Sequence, residues 1–307
     1  QEQAWRDTLG RLGLHALVRY DTVAPPLDGE QRLYESLALL LERGRPQLQR
    51  LIEDHQNKVL ERQDSARQLI AELLIDCAAL RQQVASQPEQ VQAAIAGMHE
   101  AVRQREQRCV EALLQLYRFR SDDARTDDLP LLDGRWGDDL FNPETLRQLG
   151  LKLGSGVAAG AAAGAGIDLL VGGISLGAAT LIGALAGGGV QTARNYGERL
   201  LGKLKGRREL SIDDSILQLL AVRQLHLLQA LERRGHAALQ RLQLHTHQAQ
   251  QWRNGTLPKP LHKARAHPQW STLNSGTQVS AADRQAQVLE LAGELADAMR
   301  EARPEQT

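Results

Sequence analysis

LGSGVAAGAAAGAGIDLLVGGISLGAATLIGALAGGGVQTA, residues 153–193, is the stretch that decides how this chain divides. Between its flanking basic residues the only charged side chain is Asp168, and a Gly-Gly pair splits the stretch into halves of roughly the twenty residues that a membrane-crossing helix needs. Small residues recur at four-residue spacing, which lets two helices approach closely. The stretch therefore predicts a Gly/Ala-rich helical hairpin. The positions expected to pack are Gly156, Gly160, Gly164, Asp168, Gly172, Gly173, Gly183 and Gly187.

The free energy of insertion into lipid is close to balance for this hairpin. Each half carries about six strongly apolar side chains, which together contribute about −2 to −3.5 kcal/mol. Asp168 would cost up to about 3 kcal/mol at the centre of a bilayer. Two interpretations therefore stay open: a closely packed helix pair inside a soluble bundle, or a hairpin that contacts a membrane in one state. A pore-forming protein is a third reading, but its usual secretion signals are not found.

Basic residues flank the hairpin on both sides, Arg147 and Lys152 before it and a cluster after it, and favour keeping both of its ends on the cytosolic side. The same cluster could meet anionic lipid head groups. We therefore expect a cytoplasmic protein with a possible peripheral position at the inner membrane. The basic flank comprises Arg194, Arg199, Lys203, Lys205, Arg207 and Arg208.

Outward from the hairpin, the sequence reads as amphipathic helices. Apolar residues at three- and four-residue spacing run from Leu48 to Val84, and again from Val91 to Leu116. Ser86 and Glu89 form a capping-box pattern between these two stretches, which predicts one antiparallel helical hairpin. Shorter helices are expected over residues 4–12 and 30–43, from 211 to 242, and from 280 onward. The polar stretches 121–139 and 250–275 contain proline or glycine and are expected to be loops.

Composition excludes several classes of function. The 37 basic and 37 acidic residues balance, so no global field steers the chain toward nucleic acid. Aromatic residues make up only 3%, which argues against a platform for stacking bases. The two cysteines, Cys77 and Cys109, cannot build a disulfide framework and are expected to be buried thiols in a reducing compartment.

Neither a catalytic site nor a metal site is predicted. The sequence has no nucleophile-elbow, zinc-protease or phosphate-loop pattern. His245 and His247 lack a carboxylate or thiol partner at ligand spacing, so we expect them at an exposed helix end. The aspartates between residues 122 and 139 do not follow the calcium-loop pattern and are expected to lie in a solvated linker.

Residues 14–23, LHALVRYDTV, read as the one convincing strand, and it follows a short helix and precedes a loop and another helix. A lone strand cannot satisfy its backbone groups without a sheet. Trp5, Gly13-Leu14-His15-Ala16, Tyr20-Asp21-Thr22-Val23, Asp28-Gly29-Glu30 and Leu33-Tyr34 together resemble the end of the G domain in a family of bacterial Era/TrmE-like GTPases. In that family an uncharacterised helical domain of about this length follows, and ARQLIAELLID, residues 66–76, and the glycine-rich stretch are similar to it.

The resemblance implies that Tyr20, Asp21 and Thr22 lie near the guanine base in the full-length protein, although the usual Ser-Ala-Lys is absent. It also implies GTP and Mg²⁺ as ligands of the full-length protein, and the upstream G domain as a partner. The phosphate loop, the switch residues and the base-specifying Asn-Lys-x-Asp are missing from these residues. We therefore expect no cofactor and no catalysis in this fragment.

Together these observations predict a mainly α chain: long antiparallel helices, the Gly/Ala-rich helical hairpin, and one N-terminal strand left over from an α/β G domain. The expected segments are a G-domain remnant (1–43), a long helical hairpin (44–120), an acidic loop (121–141), the glycine-rich hairpin with its basic flank (142–206), and C-terminal helices (207–307). The predicted function is a non-catalytic effector or interaction domain that couples nucleotide state to exposure of the hairpin toward membrane or a protein partner. The alternative is a soluble scaffold for protein–protein interaction with the hairpin as buried core.

Overall fold

A computed structural model describes residues 2–14, 17–18, 29–119, 131, 135–142, 167–170, 207–232, 256–274 and 281–301. The chain is mainly helical, as predicted, with a small antiparallel sheet. The helices are α1 (Glu2–Arg11), α2 (Gly29–Leu40), α3 (Arg45–Ala79), α4 (Pro88–Leu116), α5 (Asp214–Glu232), α6 (Lys259–Ala266) and α7 (Ala281–Glu301). Short 3-10 turns cover Glu42–Gly44 and Pro268–Trp270, and the strands are β1 (Arg81–Ala85), β2 (Ile167–Leu170) and β3 (Arg207–Ile212).

The chain forms two compact units. The first contains residues 1–65 and 229–242, and the second contains residues 66–228 and 243–307. In the first unit, α2 and the start of α3 run antiparallel, since Glu30 lies 3.5 Å from His55 while Arg45 Nε donates to the Ala38 carbonyl at 3.2 Å. The predicted segment boundaries at residues 43, 120, 141 and 206 stay predictions.

The core of the second unit lies where the C-terminal half of α3 meets α4. Ten residues of α3 are buried, all between Ala66 and Ala79. Arg105 contacts Asp76 while Cys109 lies 3.6 Å from the Leu69 carbonyl, so α4 runs antiparallel to α3 as predicted. Leucines of α5 and α7 are buried as well.

The sheet occupies positions where the sequence had indicated helix or hairpin. Its strand order is β1-β3-β2, and both pairings are antiparallel. The predicted helix through Val84 is wrong, because α3 ends at Ala79. Leu80 and Val84 fit helical spacing, but the guanidinium of Arg81 donates to the carbonyls of Ala78 and Leu80 and satisfies the end of the helix.

Two further local predictions are corrected. The N-cap of α4 is Gln87 and not Ser86, and Pro88 occupies the first turn. The helix expected from residue 211 begins at Asp214, because Ser211 is buried in β3; Asp213 Oδ1 accepts from the backbone N–H of Ser215 at 2.8 Å at the start of the helix.

The predicted loop 250–275 contains ordered structure in its described part. Prolines begin both elements there: Pro258 is the N-cap of α6, and Pro268 opens the 3-10 turn. Asn274 then donates to the carbonyls of Ala79 and Pro268, which ties this segment to the end of α3. Prolines that looked like helix breakers are therefore helix starters here.

The predicted N-terminal strand is not seen among its described residues. Leu14, Leu17 and Val18 have irregular backbone, and the rest of residues 14–23 lies outside the described residues. Gly13 precedes them with φ +78, a conformation that glycine adopts without strain and that ends α1.

Candidate functional site

Most residues of the predicted glycine-rich site lie outside the described part of the chain. These are Gly156, Gly160, Gly164, Gly172, Gly173, Gly183, Gly187, Arg194, Arg199, Lys203 and Lys205, and the same holds for Tyr20, Asp21 and Thr22. Asp168, Arg207 and Arg208 are described, and all three lie in the sheet.

Pairing of β2 with β3 corrects one position of the predicted hairpin. Asp168 was expected on a helix near the hairpin turn, but its backbone lies in a strand opposite Ser211. Leu170 pairs with Glu209, so the described residues on either side of 171–206 lie near the same end of the sheet. The other hairpin positions lie outside the described residues, and the hairpin itself stays a prediction. No helix in the described ranges is long and apolar enough to cross a membrane.

A buried carboxylate, Asp76, joins four segments of the second unit. Its side chain is 1% exposed and accepts from Arg105 Nε at 2.7 Å and Arg284 Nη2 at 3.1 Å. The backbone N–H of Thr272 donates to it at 3.0 Å, and Ser271 Oγ donates to the Asp76 carbonyl at 2.8 Å. Because its charge is paired and its oxygens are bonded, we assign Asp76 a structural role.

A second polar cluster lines the candidate site. Glu106 of α4 is 5% exposed, and its carboxylate lies 3.6 Å from Arg223 Nη1 and 3.3 Å from Gln224 Nε2. Arg223 also donates to the Asp138 carbonyl at 2.7 Å and sits 5.2 Å above the ring of Trp136. All of these residues except Gln224 border an open cavity of about 690 Å³, which we call the Glu106 cavity.

Burial raises the pKa of Glu106 to about 7, despite the opposing effect of Arg223. A buried titratable group beside a cavity is a recognised sign of a functional site. The cavity wall is nearly balanced in charge, because it contains carboxylates and guanidiniums in similar numbers. The charged lining residues are Glu100, Arg103, Glu106, Arg108, Glu111, Arg135, Asp138, Asp139 and Arg223.

The acidic loop is more structured than predicted where it reaches this cavity. Asp139 accepts two bonds from Arg103, at 2.8 and 3.0 Å, and this lowers the pKa of the Asp139 carboxyl. Leu131, Leu140 and Phe141 are buried. The described part of the predicted linker therefore packs on α4 with one side, and its other side faces solvent.

The Glu106 cavity offers charged side chains that can recognise a ligand. Its described residues include no evident set of catalytic side chains. Among the described residues that line it there is no serine, threonine or cysteine that Glu106 could activate. No group of three histidine, cysteine, aspartate or glutamate residues that could hold a metal is found among the described residues. The arrangement can bind a charged partner and can exchange a proton with it.

An exposed apolar surface marks the first unit. The described residues include nine exposed large hydrophobic side chains, and all except Leu289 lie between residues 5 and 60. They are Trp5, Leu12, Leu14, Leu39, Leu40, Leu41, Leu51 and Leu60. Scattered apolar residues are ordinary on a protein surface; here eight of the nine lie in one small unit.

Sequence reasoning had missed the buried charged residues. Asp76 lies within the stripe Leu73, Leu74 and Cys77, and Glu106 follows Val102 by one helical turn on the buried face of α4. A charged residue on the apolar face of an amphipathic helix is the signal that could have identified both.

Comparison with known proteins gives a family without a known activity. Residues 6–293 match the family described as a domain of unknown function, DUF3482. No curated protein and no solved structure matches the chain.

Proposed function

This chain belongs to the DUF3482 family, and we propose that it is a non-catalytic helical effector or interaction domain of a bacterial GTPase. In this proposal a G domain upstream in the same polypeptide binds GTP and Mg²⁺. Its nucleotide state changes how the helical domain presents its interaction surfaces to a membrane or a protein partner.

The exposed apolar side chains of α1 and the residues after it carry this proposal. Trp5 is 67% exposed, Leu12 is 70% exposed and Leu14 is 54% exposed. A helix of ten residues is marginal in water unless its apolar face is packed. Burial of these three side chains against another domain would stabilise α1, and a G domain that precedes it is the partner we propose.

The glycine-rich connection 171–206 is the second element of the proposal. Its neighbours in the chain, Leu170 of β2 and Arg207 of β3, lie near the same end of the sheet. Glycine-rich sequence carries little side-chain bulk, which favours close contact with a partner. We propose that nucleotide state controls the exposure of the glycine-rich hairpin toward a membrane or a protein partner.

A soluble scaffold is the alternative function, and the Asp76 and Glu106 clusters favour it. Buried ion pairs fix the relative positions of α3, α4, α5 and α7 in the second unit. A permanent scaffold would use such a rigid body as its binding face, with no nucleotide-dependent change.

Calorimetry tests the proposed absence of nucleotide chemistry in this chain. Residues 1–307 titrated with GTP or GDP in the presence of Mg²⁺ should give no binding heat, since no phosphate loop is present in the sequence. The full-length protein should bind in the micromolar range or tighter. Micromolar binding by the 307-residue chain, or a full-length protein that binds no nucleotide, would reject the proposal.

A further inference from the structure

Three consecutive leucines form the most exposed apolar feature in the described part of the chain. Leu39 is 78% exposed, Leu40 is 61% exposed and Leu41 is 52% exposed. They lie where α2 ends and the 3-10 turn Glu42–Gly44 begins. We call residues 39–45 the leucine corner.

Hydrogen bonds to backbone carbonyls hold the leucine corner in its conformation. Arg45 Nε donates to the Ala38 carbonyl at 3.2 Å, and the backbone N–H of Gly44 donates to the Leu41 carbonyl at 3.1 Å. A Cβ atom at Gly44 would lie 3.6 Å from Leu41 Cβ, an ordinary van der Waals distance. The leucines are therefore exposed on the turn that joins two antiparallel helices, at the convex end of the helix pair.

The charge around the corner is positive. Arg43, Arg45 and Arg50 are all exposed, against two carboxylates between residues 35 and 51, Glu35 and Glu42. Among the described residues, no carboxylate forms an ion pair with Arg43 or Arg50. Leucines on a convex turn with flanking guanidiniums match the two layers of an anionic bilayer surface, which has an apolar interior beneath negative head groups.

We infer that the leucine corner inserts shallowly into an anionic lipid surface. A protein groove would be the natural partner of a single apolar anchor, but adjacent leucines on a convex turn fit a deformable apolar phase better. The inference extends the proposed function by naming its partner, and it rests on that proposal only in treating this chain as an interaction domain. Lipid binding by the corner would stand even if no GTPase were attached.

Flotation with vesicles tests the inference on the complete 307-residue chain. Phosphatidylcholine vesicles with about one-third phosphatidylglycerol should bind the chain at least tenfold more strongly than pure phosphatidylcholine vesicles. The triple variant Leu39→Ser, Leu40→Ser, Leu41→Ser should lose at least tenfold in binding. Leu289→Ser is the matched control, because that leucine is 50% exposed on α7, and it should bind as the wild type does.

A second variant separates the charge from the apolar contact. Arg43→Gln with Arg50→Gln should weaken binding to anionic vesicles by about tenfold or more, since each basic residue near such a surface contributes about fivefold. Arg45 is kept because it holds the turn. Circular dichroism of each variant should match the wild type, because the substituted side chains are exposed.

Three outcomes would overturn the inference. Unchanged flotation of the triple leucine variant would place lipid contact elsewhere, for example in residues 171–206. Equal binding to neutral and anionic vesicles would remove the role of the guanidiniums. No flotation, with a dimer that the leucine substitutions dissociate, would make a second copy of the chain the occupant. None of these outcomes depends on nucleotide, so the proposed GTPase link would be judged separately by calorimetry.

Discussion

Asp76 and Arg105 form an ion pair inside the second unit, with Arg105 Nε 2.7 Å from Asp76 Oδ2. Arg284 contacts the other oxygen of the same carboxylate at 3.1 Å. One buried charge thus links α3 to both α4 and α7. A buried ion pair adds little net free energy of folding, because desolvation offsets the attraction. Removal of one partner is costly, because the other charge then stays buried and unpaired.

Substitution of Asp76 should therefore be strongly destabilising. Asp76→Asn removes the negative charge that two guanidiniums share and leaves Arg105 with only Glu72, at 3.9 Å, as a carboxylate neighbour among the described residues. We therefore expect a loss of about 3–5 kcal/mol in the free energy of unfolding. Urea denaturation monitored by circular dichroism measures this loss. Asp297→Asn is the control, because its i,i+3 pair with Arg300 is exposed, and it should be close to neutral. Similar stabilities for the two variants would contradict the structural role of Asp76.

Glu106 should make stability depend on pH. Its folded pKa of about 7 lies above the ordinary value of 4.5, so the folded state favours the protonated acid. This contribution is complete below about pH 4.5 and is lost as the pH rises through 7. At about 1.4 kcal/mol per pKa unit, the wild type should lose up to about 3 kcal/mol relative to Glu106→Gln between pH 5 and pH 8.

Denaturation curves across this pH range, with Glu100→Gln as an exposed control on the same helix, measure the effect of Glu106. The Glu100 variant should keep the pH dependence of the wild type. A Glu106 variant that retains the full wild-type slope would show that another group titrates.

The two thiols should be unreactive in the folded protein. Cys77 and Cys109 are 0% and 1% exposed, and burial raises the pKa of both, that of Cys109 to about 12. Ellman's reagent should therefore label neither thiol under native conditions and both in urea. The labelling rate should rise in Asp76→Asn, because that variant opens more often. Rapid labelling of the native wild type would contradict the assigned core.

A cross-strand disulfide tests the unexpected strand in the glycine-rich stretch. Leu169 and Leu210 are partners in the β2–β3 register, and partners in an antiparallel pair lie at Cα distances that a disulfide accepts. Leu169→Cys with Leu210→Cys should oxidise readily, and mass spectrometry of peptides identifies the bond. The pair Leu169→Cys with Ser211→Cys is shifted by one position and should oxidise poorly. Equal oxidation of the two pairs would contradict this register.

Long periodic stretches were predicted well from the sequence. The boundaries of α1 and α2 agree within a few residues, and the antiparallel arrangement of α3 and α4 is confirmed. The apolar spacing in these helices is set by local geometry, so a sequence shows it directly. Burial of Cys77 and Cys109 is confirmed for the same reason.

The sheet could not be predicted, because its strands are short and their partners are distant. β1 and β3 are separated by more than a hundred residues, and Leu80 and Val84 fit a helical period equally well. A strand of this kind exists only because another strand supplies its hydrogen bonds. The Glu106 cavity was missed because Arg223 reaches Glu106 only after α4 and α5 have packed.

Nucleotide-dependent deuterium exchange of the full-length protein tests the central claim most directly, since the claim is that a G domain controls the surfaces of this helical domain. We predict that a non-hydrolysable GTP analogue, compared with GDP, changes exchange in peptides from residues 2–14 and 171–206, while the buried peptide of residues 66–79 stays unchanged. Identical exchange in both nucleotide states across residues 1–307 would contradict the claim and favour the permanent scaffold.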